Sequence, residues 1–260
     1  MRLPRVSVTL TPMSNPREFY DDFAEAYDGM FADWDASIAR QARVFAALLG
    51  EAGQTILDCS CGIGTQALGL AALGFHVTGT DISPASVARA RREAAARGVA
   101  LPTAAADMRA LPFLDDSFDA VLCVDNALCH VLDADGVVTA LRETRRVLRG
   151  GGRLILSVRD YDEARRSRPR RTPPQLSRRD GQWCVTFQLW HWDRHGDRYD
   201  FEHFQLRGSR GEWRMRRRVS RLWALTREEL GELASRAGFS RLEWLAPADS
   251  GFYQPVLVAG

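Results

Sequence analysis

The chain has 260 residues, of which 45% are hydrophobic and 26% charged, with a formal net charge of +2. This composition is that of a globular protein and excludes a disordered tail. No stretch reaches the roughly 18–20 uncharged apolar residues of a membrane helix, and the N-terminal residues lack the pattern of an export signal. Five cysteines are too few and too irregularly spaced for a disulfide scaffold. We therefore expect a cytoplasmic protein with no membrane segment.

The N-terminal segment carries a helical pattern. Aromatic and aliphatic side chains recur at spacings of three or four between residues 17 and 49, as on one face of an α-helix. Asn15 and Pro16 are typical of a helix start, and Gly50 ends the pattern. We predict an N-terminal helical cap over residues 1–50, with Met13 as an alternative start of the chain.

Strands and helices then alternate. Each predicted strand is apolar throughout, and helices separate the strands, which is typical of a parallel sheet covered on both faces. The sequence therefore predicts a doubly wound, mostly parallel α/β sheet. The predicted strands are 55–59, 75–80, 103–106, 118–124, 153–158, 241–245 and 254–259, and the predicted helices are 65–73, 84–97, one that ends at 148, and one from 226 to 238.

Residues 159–225 break this alternation. The segment 165–179 holds seven arginines and three prolines, which predicts a mobile surface loop. Three runs that alternate or carry aromatic side chains follow at hairpin spacing, which predicts an antiparallel β-ribbon. We assign residues 51–160 and 226–260 to the sheet domain, and residues 161–225 to a β-ribbon or lid insert.

The first strand–turn–helix carries the strongest functional pattern. Residues 56–65 read ILDCSCGIGT, whose small residues let backbone amides approach a ligand at a helix N-terminus. Asp81, at the end of the next strand, is placed to accept hydrogen bonds from both hydroxyls of a ribose. Asp58 would repel a pyrophosphate but suits a ligand with an ammonium group. This combination favours S-adenosylmethionine over a dinucleotide.

With Asp107 at the end of a further strand, the chain resembles the class I S-adenosylmethionine-dependent methyltransferases over roughly residues 17–160 and 226–260. The resemblance implies a seven-stranded sheet with one antiparallel strand near its end. It also implies that the cofactor lies across the carboxyl ends of the first strands, with its methionine end at Asp58, its ribose at Asp81 and its adenine at Asp107. The implied cofactor-binding residues are Tyr27, Trp34, Arg40, Asp58, Ser60, Gly62, Gly64, Asp81, Ile82, Asp107, Met108, Val124 and Asp125.

Two further segments carry a narrower resemblance. Residues 121–130 read VLCVDNALCH and residues 153–162 read RLILSVRDYD, and both are similar to segments of glycine and glycine/sarcosine N-methyltransferases. The resemblance implies that Asn126 and Arg159 hold the carboxylate of an amino-acid acceptor, and we add Tyr161 as a positioning residue. The sequence departs from this group at Asp160, where the relatives have asparagine.

Three acceptor classes remain open. Asn126 and Arg159 favour N-methylation of a small amino acid or amine. The tryptophan-rich ribbon and Asp160 favour an aromatic acceptor such as an indole, methylated on carbon or nitrogen. The arginine-rich segment favours RNA, although its arginines are not interleaved with stacking aromatic residues. We expect a small-molecule acceptor, no nucleic-acid partner and no metal site; monomer and homo-oligomer both remain open.

Overall fold

The computed structural model describes residues 5–179, 181–209 and 211–260. The predicted helical cap (1–50) and ribbon insert (161–225) include residues 1–4, Asp180 and Arg210, which lie outside the described residues. The described residues form two β-sheets, and residues from both parts of the chain line the site discussed below. One is the predicted doubly wound sheet, and the other contains the predicted ribbon.

The first sheet has seven strands, which confirms the predicted mostly parallel α/β architecture. The order is β11-β12-β6-β5-β2-β3-β4, and β12 runs antiparallel to both of its neighbours. The carboxyl ends of β5, β2 and β3 therefore meet at one edge, where the sequence predicts a ligand. The strands are β2 (Thr55–Asp58), β3 (His76–Asp81), β4 (Thr103–Ala105), β5 (Phe118–Cys123), β6 (Leu148–Ser157), β11 (Leu242–Leu245) and β12 (Val256–Ala259).

Helices cover both faces of this sheet. Their starts follow the capping signals in the sequence: Asn15, Ser83 and Thr226 each accept a backbone N–H bond at a helix N-terminus. The α-helices are α1 (Pro16–Phe23), α2 (Trp34–Leu49), α3 (Thr65–Ala72), α4 (Pro84–Arg97), α5 (Ala134–Val147), α6 (Tyr161–Ser167), α7 (Arg227–Ala237) and α8 (Pro247–Ser250), and 3-10 helices span Ala24–Met30 and Ala127–His130. Among the described helices, none combines the length and hydropathy needed to cross a membrane.

The prediction of one helix through residues 17–49 is wrong. A 3-10 helix separates α1 from α2, and the Asp33 carboxylate accepts a bond from the backbone N–H of Ala36 (2.9 Å) to start α2. Gly29 lies so close to the second sheet that a Cβ atom there would stand 2.7 Å from Nε2 of Gln205. The stripe of aromatic residues is therefore divided because its two halves pack on different partners.

The second sheet has the order β1-β10-β9-β8-β7. Three of its strands match the predicted ribbon. Its two edge strands do not, because the sequence predicts residues 5–13 as part of a helical cap and residues 175–179 as part of a loop. We call this sheet the insert sheet; its strands are β1 (Arg5–Met13), β7 (Gln175–Arg179), β8 (Gln182–Trp192), β9 (Arg198–Ser209) and β10 (Glu212–Trp223).

The arginine-rich segment is ordered against the insert sheet, so the predicted mobile loop is wrong. Its first residues form α6, and its last residues form β7. Between them, Pro169 accepts a bond from the indole N–H of Trp192 (3.0 Å), and the Thr172 hydroxyl accepts one from the backbone N–H of Gln188 (2.9 Å). These contacts hold the segment along β8.

Helix α7 offers a test of the capping interactions. Thr226 and Glu229 form a reciprocal capping box at its start. We expect Thr226→Ala to lower the free energy of unfolding by about 1 kcal/mol, because a backbone N–H loses its acceptor. Urea unfolding followed by circular dichroism measures this loss. Thr226→Ser keeps the hydroxyl and is expected to match the wild type; equal losses in both variants would contradict a capping role.

Candidate active site

A cavity of about 530 Å³ opens at the carboxyl ends of β2, β3 and β5. We call it the strand-end cavity. It brings together most of the residues that the sequence predicts for cofactor binding, although they come from separate parts of the chain. The predicted residues that line it are Tyr27, Ser60, Gly62, Asp81, Ile82, Asp107, Met108, Val124 and Asp125.

Asp81 joins the ends of two neighbouring strands. Its carboxylate accepts bonds from the backbone N–H of Gly62 and from that of Ser83, both at 2.9 Å. Burial raises the pKa of this carboxyl to about 6, although both backbone bonds favour its ionised form. The Asp81 carboxylate is therefore fixed at the wall of the cavity as a hydrogen-bond acceptor. Binding of ribose hydroxyls requires such a fixed acceptor.

Asp58 lies beneath the cavity rather than in its lining. It is fully buried, and one carboxylate oxygen accepts a bond from the backbone N–H of Ser60 (3.3 Å). The other oxygen has no hydrogen-bond partner among the described residues. Burial raises the pKa of Asp58 to about 7. A buried carboxylate with a free oxygen fits a ligand that carries positive charge, such as the ammonium end of S-adenosylmethionine.

Asp107 lies at the opposite side of the strand-end cavity and is partly exposed. Its carboxylate forms an ion pair with Arg109 (2.6 Å), which lowers the pKa of Asp107. The next residue, Met108, also lines the cavity. The structure thus supplies a carboxylate and an apolar side chain side by side where the sequence predicts the adenine ring.

Three other predicted cofactor residues lie outside the strand-end cavity. Trp34 is buried, and its indole N–H donates to the Thr65 hydroxyl (2.9 Å). Gly64 has φ +97° before α3, a conformation that favours glycine, and a Cβ atom there would stand 2.9 Å from Leu68. Arg40 lines the second cavity described next. The first two residues shape the loop and its surroundings, and their predicted contact with a cofactor stays a prediction.

A second cavity, of about 830 Å³, lies between the sheet domain and the insert sheet. We call it the insert cavity. The predicted acceptor residues Asn126 and Arg159 line it, together with residues of α1 and the insert sheet. The two cavities meet, and both are lined by Tyr20, Tyr27, Asp125 and His130.

Arg159 is held by a network of buried hydroxyl and amide groups. Its guanidinium donates to the Tyr199 hydroxyl (2.8 Å) and stands over the ring of Trp190, 5.0 Å from the ring centre. None of the ion pairs between described residues involves Arg159. Tyr161 is buried behind Asn126, whose amide donates to the Tyr161 hydroxyl (2.7 Å). Tyr161 therefore positions Asn126 instead of lining the cavity.

Asp125 and Asn126 form an unusual turn at the end of β5. Both have positive φ angles, 58° and 72°, in the left-handed region that residues other than glycine rarely adopt. The Asp125 carboxylate accepts bonds from the amide of Gln66 (2.8 Å) and from the Tyr253 hydroxyl. The turn presents Asp125 where the two cavities meet.

Two residues at this junction were not predicted as site residues. The Tyr20 hydroxyl and Nε2 of His130 are 2.9 Å apart, so the two side chains bond each other within the fold. Burial, with a smaller effect of Arg159, lowers the pKa of His130 to about 4, so that the imidazole is neutral at pH 7. Tyr20 lies outside the two segments that carry the narrower resemblance, and His130 ends one of them without an implied ligand contact of its own. Within the described residues, no group of His, Cys, Asp and Glu side chains is arranged to hold a metal ion.

Comparison with known proteins identifies the sheet domain. A family model for a methyltransferase domain matches residues 56–152. The chain is 36% identical to a glycine/sarcosine N-methyltransferase of Parasynechococcus marenigrum (strain WH8102) over 148 residues, which are 56% of this chain and 52% of that protein. The chain thus spans about half the length of this curated relative.

Solved structures match nearly the whole chain. CalS10, an S-adenosylmethionine-bound amino pentose methyltransferase from Micromonospora echinaspora, is 25% identical, with a TM-score of 0.69 over 92% of this chain and 95% of that chain. The sugar N-methyltransferase KedS8 from Streptoalloteichus sp. ATCC 53650 is 22% identical, with a TM-score of 0.69 over 100% of this chain and 98% of that chain. The chain therefore has the fold of these S-adenosylmethionine-dependent methyltransferases, and residues 56–152 within it match a methyltransferase domain.

We expect cofactor affinity to rise with pH. Burial raises the pKa of Asp58 to about 7 and that of Asp81 to about 6, so both carboxyls are largely protonated at about pH 5. A cationic ligand binds their ionised forms better. The dissociation constant of S-adenosylmethionine, measured by calorimetry, is expected to fall about tenfold or more between about pH 5 and pH 7. Asp81→Asn is expected to weaken binding at pH 7 and to flatten this dependence.

Asp107→Asn is the matched control for this experiment. The ion pair with Arg109 lowers the pKa of Asp107, so this carboxylate stays ionised throughout the range. The variant is expected to bind the cofactor more weakly while the pH dependence remains. Equal affinity of the wild type and Asp81→Asn at pH 7 would show that the cofactor binds elsewhere.

Proposed function

We propose that the protein is an S-adenosylmethionine-dependent methyltransferase and that it transfers a methyl group to the nitrogen of a small amino acid or amine, in the manner of the glycine/sarcosine N-methyltransferases. The acceptor binds in the insert cavity, and the cofactor binds in the strand-end cavity. One observation carries the proposal: Arg159 and Asn126 line a cavity that opens onto the predicted cofactor residues at Asp125.

The surroundings of Arg159 suit a carboxylate or another acceptor oxygen. The guanidinium is oriented by Tyr199 and Trp190, and it forms no ion pair with another described residue. A guanidinium can hold a carboxylate through two parallel hydrogen bonds. Asp160 also lines this cavity, but its carboxylate accepts a bond from the backbone N–H of Glu163 (3.0 Å) at the start of α6. That bond gives Asp160 a structural role beside the proposed binding residue.

The chain contributes chiefly by positioning. S-adenosylmethionine supplies the methyl group, activated by its positive sulfur. The protein has to hold a neutral amine in line with that group, and positioning of this kind is worth at most about 7–11 kcal/mol. The residues at the junction suit this task, because the hydroxyls of Tyr20 and Tyr27 can bond an amine without adding charge, and the neutral imidazole of His130 orients the Tyr20 hydroxyl. Burial raises the pKa of both tyrosines, which keeps them protonated.

The tryptophans of the ribbon do not favour an aromatic acceptor. None of the described tryptophans lines the insert cavity. Trp190 packs in the core, where it stacks on Tyr199 with ring centres 4.6 Å apart, and Trp183 is exposed away from the cavity. An indole acceptor thereby loses one of the two features that suggested it, and of the two only Asp160 lines the cavity.

An amino sugar is the second candidate acceptor. The insert cavity, at about 830 Å³, is of the size that holds drug-sized ligands and greatly exceeds a free glycine. CalS10, which acts on an amino pentose, has a similar fold over nearly its whole length. Both observations favour a larger amine over the smallest amino acids.

A panel of acceptors tests the proposed function. Formation of S-adenosylhomocysteine is measured with glycine, sarcosine, an amino sugar and an indole, and the products are identified by mass spectrometry. We expect turnover with an amine and none with the indole. Turnover with the indole alone would contradict the proposal.

Arg159→Ala is expected to raise the KM of a carboxylated acceptor by about 10- to 100-fold, because a charged hydrogen bond contributes roughly 1.5–3 kcal/mol. The cofactor dissociation constant is expected to stay unchanged. Arg166→Ala is the matched control, because Arg166 is exposed and pairs with Glu163. An unchanged KM in Arg159→Ala would remove this residue from the acceptor site.

A further inference from the structure

The insert sheet presents polar side chains on the face that packs inward. Side chains alternate along β8 and β9, and the buried positions of an antiparallel sheet are ordinarily apolar. Here the middle of the buried row is polar on both strands. Its members are Thr186 and Gln188 on β8 and His203 and Gln205 on β9, which are 4%, 6%, 1% and 3% exposed.

Two of these side chains line the insert cavity, namely Gln188 and His203. They are directly opposite each other in the register of β8 and β9. The other two are not part of the cavity lining, and the Gln205 amide donates to the backbone oxygen of Ala26 (2.9 Å). The polar row therefore serves two purposes: part of it bonds within the fold, and part faces the cavity.

His203 has unused hydrogen-bonding capacity. Neither of its ring nitrogens has a partner among the described residues. Buried polar groups without partners are uncommon in folded proteins, and each calls for an explanation. The ring is held in place by Phe23, with ring centres 4.4 Å apart. The imidazole is thus fixed by packing and not by a bond to the protein.

His203 is also neutral. Burial lowers its pKa to about 3, and Arg218, directly opposite on β10, adds to this effect. A neutral imidazole has one donor and one acceptor nitrogen. Arg218 itself pairs with the Asp22 carboxylate (2.6 Å), has no partner for Nη1 among the described residues, and does not line the cavity. His203 can therefore bond a hydroxyl group in either direction.

Gln188 provides a second unused group beside it. Its side-chain oxygen accepts a bond from the indole N–H of Trp190 (3.0 Å), which fixes the orientation of the amide. Its side-chain nitrogen has no partner among the described residues. The two residues together offer an oriented amide donor and a neutral imidazole on one wall of the cavity.

We propose that His203 and Gln188 form a second acceptor-recognition point, which bonds hydroxyl groups on a part of the acceptor remote from the reacting nitrogen. The acceptor is then a hydroxylated amine, larger than a free amino acid. This inference rests on the proposed function, and it selects between the two amine candidates named above. A free amino acid held by its carboxylate would leave both groups without partners in a cavity of about 830 Å³.

Binding to the full-length protein saturated with S-adenosylhomocysteine tests the inference without requiring turnover. The probes are D-glucosamine and cyclohexylamine, two ring amines of which only the first carries hydroxyls. We expect the wild type to bind glucosamine about tenfold more tightly than cyclohexylamine, because two net hydrogen bonds together give roughly this factor. Calorimetry measures both dissociation constants.

His203→Phe keeps the ring that packs on Phe23 and removes both nitrogens. We expect it to lose most of the preference for glucosamine and to leave cyclohexylamine binding unchanged, while His203→Gln restores part of the preference. Because each amine is compared with itself across the variants, its basicity does not affect the result. His191→Leu is the control, since His191 is exposed on the same strand as Gln188 and lies outside the cavity lining.

A wild type that binds neither amine would overturn the inference, as would glucosamine binding that is as tight in His203→Phe as in the wild type. The proposed function fails by a different result. If glucosamine binds with the expected preference but no amine in the acceptor panel yields S-adenosylhomocysteine, the recognition point is supported. The proposed methyl transfer to an amine is then contradicted.

Discussion

Three carboxylates at the ends of neighbouring strands, two buried and one partly exposed, impose the main constraint on this structure. Asp58 ends β2, Asp81 ends β3, and Asp125 follows β5, and burial raises the pKa of each. Their ionised forms are unfavourable until something positive or strongly hydrogen-bonding reaches them. A sulfonium nucleoside with an ammonium end meets that requirement, and a pyrophosphate does not. The backbone N–H groups of the adjacent loops hold two of these carboxylates in place, so the site is formed before the ligand arrives.

The insert sheet depends on the N-terminal segment for its position. Residues 5–13 add the edge strand β1 to it, and α1 packs its aromatic side chains against β9. The fully buried guanidinium of Arg218 on β10 bonds both the carboxylate and the backbone oxygen of Asp22 in α1. Removal of one member of such a buried pair leaves an uncompensated charge, so the pair ties the insert to the cap strongly. The joined parts form two walls of the insert cavity, one from α1 and one from the insert sheet.

Much of the sheet domain could be predicted from the sequence because its signals are local. Apolar runs, capping residues and glycines at turns define its strands and helices, and the carboxyl ends of parallel strands meet at one edge wherever they lie in the chain. The sequence alone therefore predicts that Asp58 and Asp81 lie at the same edge of the sheet. The strands β1 and β7 could not be predicted from the sequence. An edge strand forms when a neighbouring strand is present to pair with it.

The site likewise contains residues with local sequence signals and residues that only the fold identifies. Asn126 and Arg159 belong to segments that resemble known enzymes, whereas Gln188 and His203 are ordinary polar residues in an alternating pattern. Only their burial without partners identifies them, and burial is a property of the folded protein. The tryptophans differ in the other direction, because the sequence marks them and the fold does not place them at the site. Their number suggested an aromatic acceptor, and their packing gives them structural roles.

The turn at Asp125 and Asn126 connects the two cavities through one short piece of backbone. Two consecutive residues in the left-handed region cost about 1–3 kcal/mol each, so the surrounding contacts have to offset this strain. Ser157 at the end of β6 does so: its hydroxyl accepts a bond from the N–H of Asp125 (2.9 Å), and its backbone oxygen accepts one from the N–H of Asn126 (3.1 Å). The Asn126 side chain in turn accepts a bond from the N–H of Arg159 (3.1 Å). The proposed acceptor residues are thus fixed to the same strand ends as the carboxylates proposed to bind the cofactor, so in the proposed reaction these strand ends set the distance between methyl donor and acceptor nitrogen.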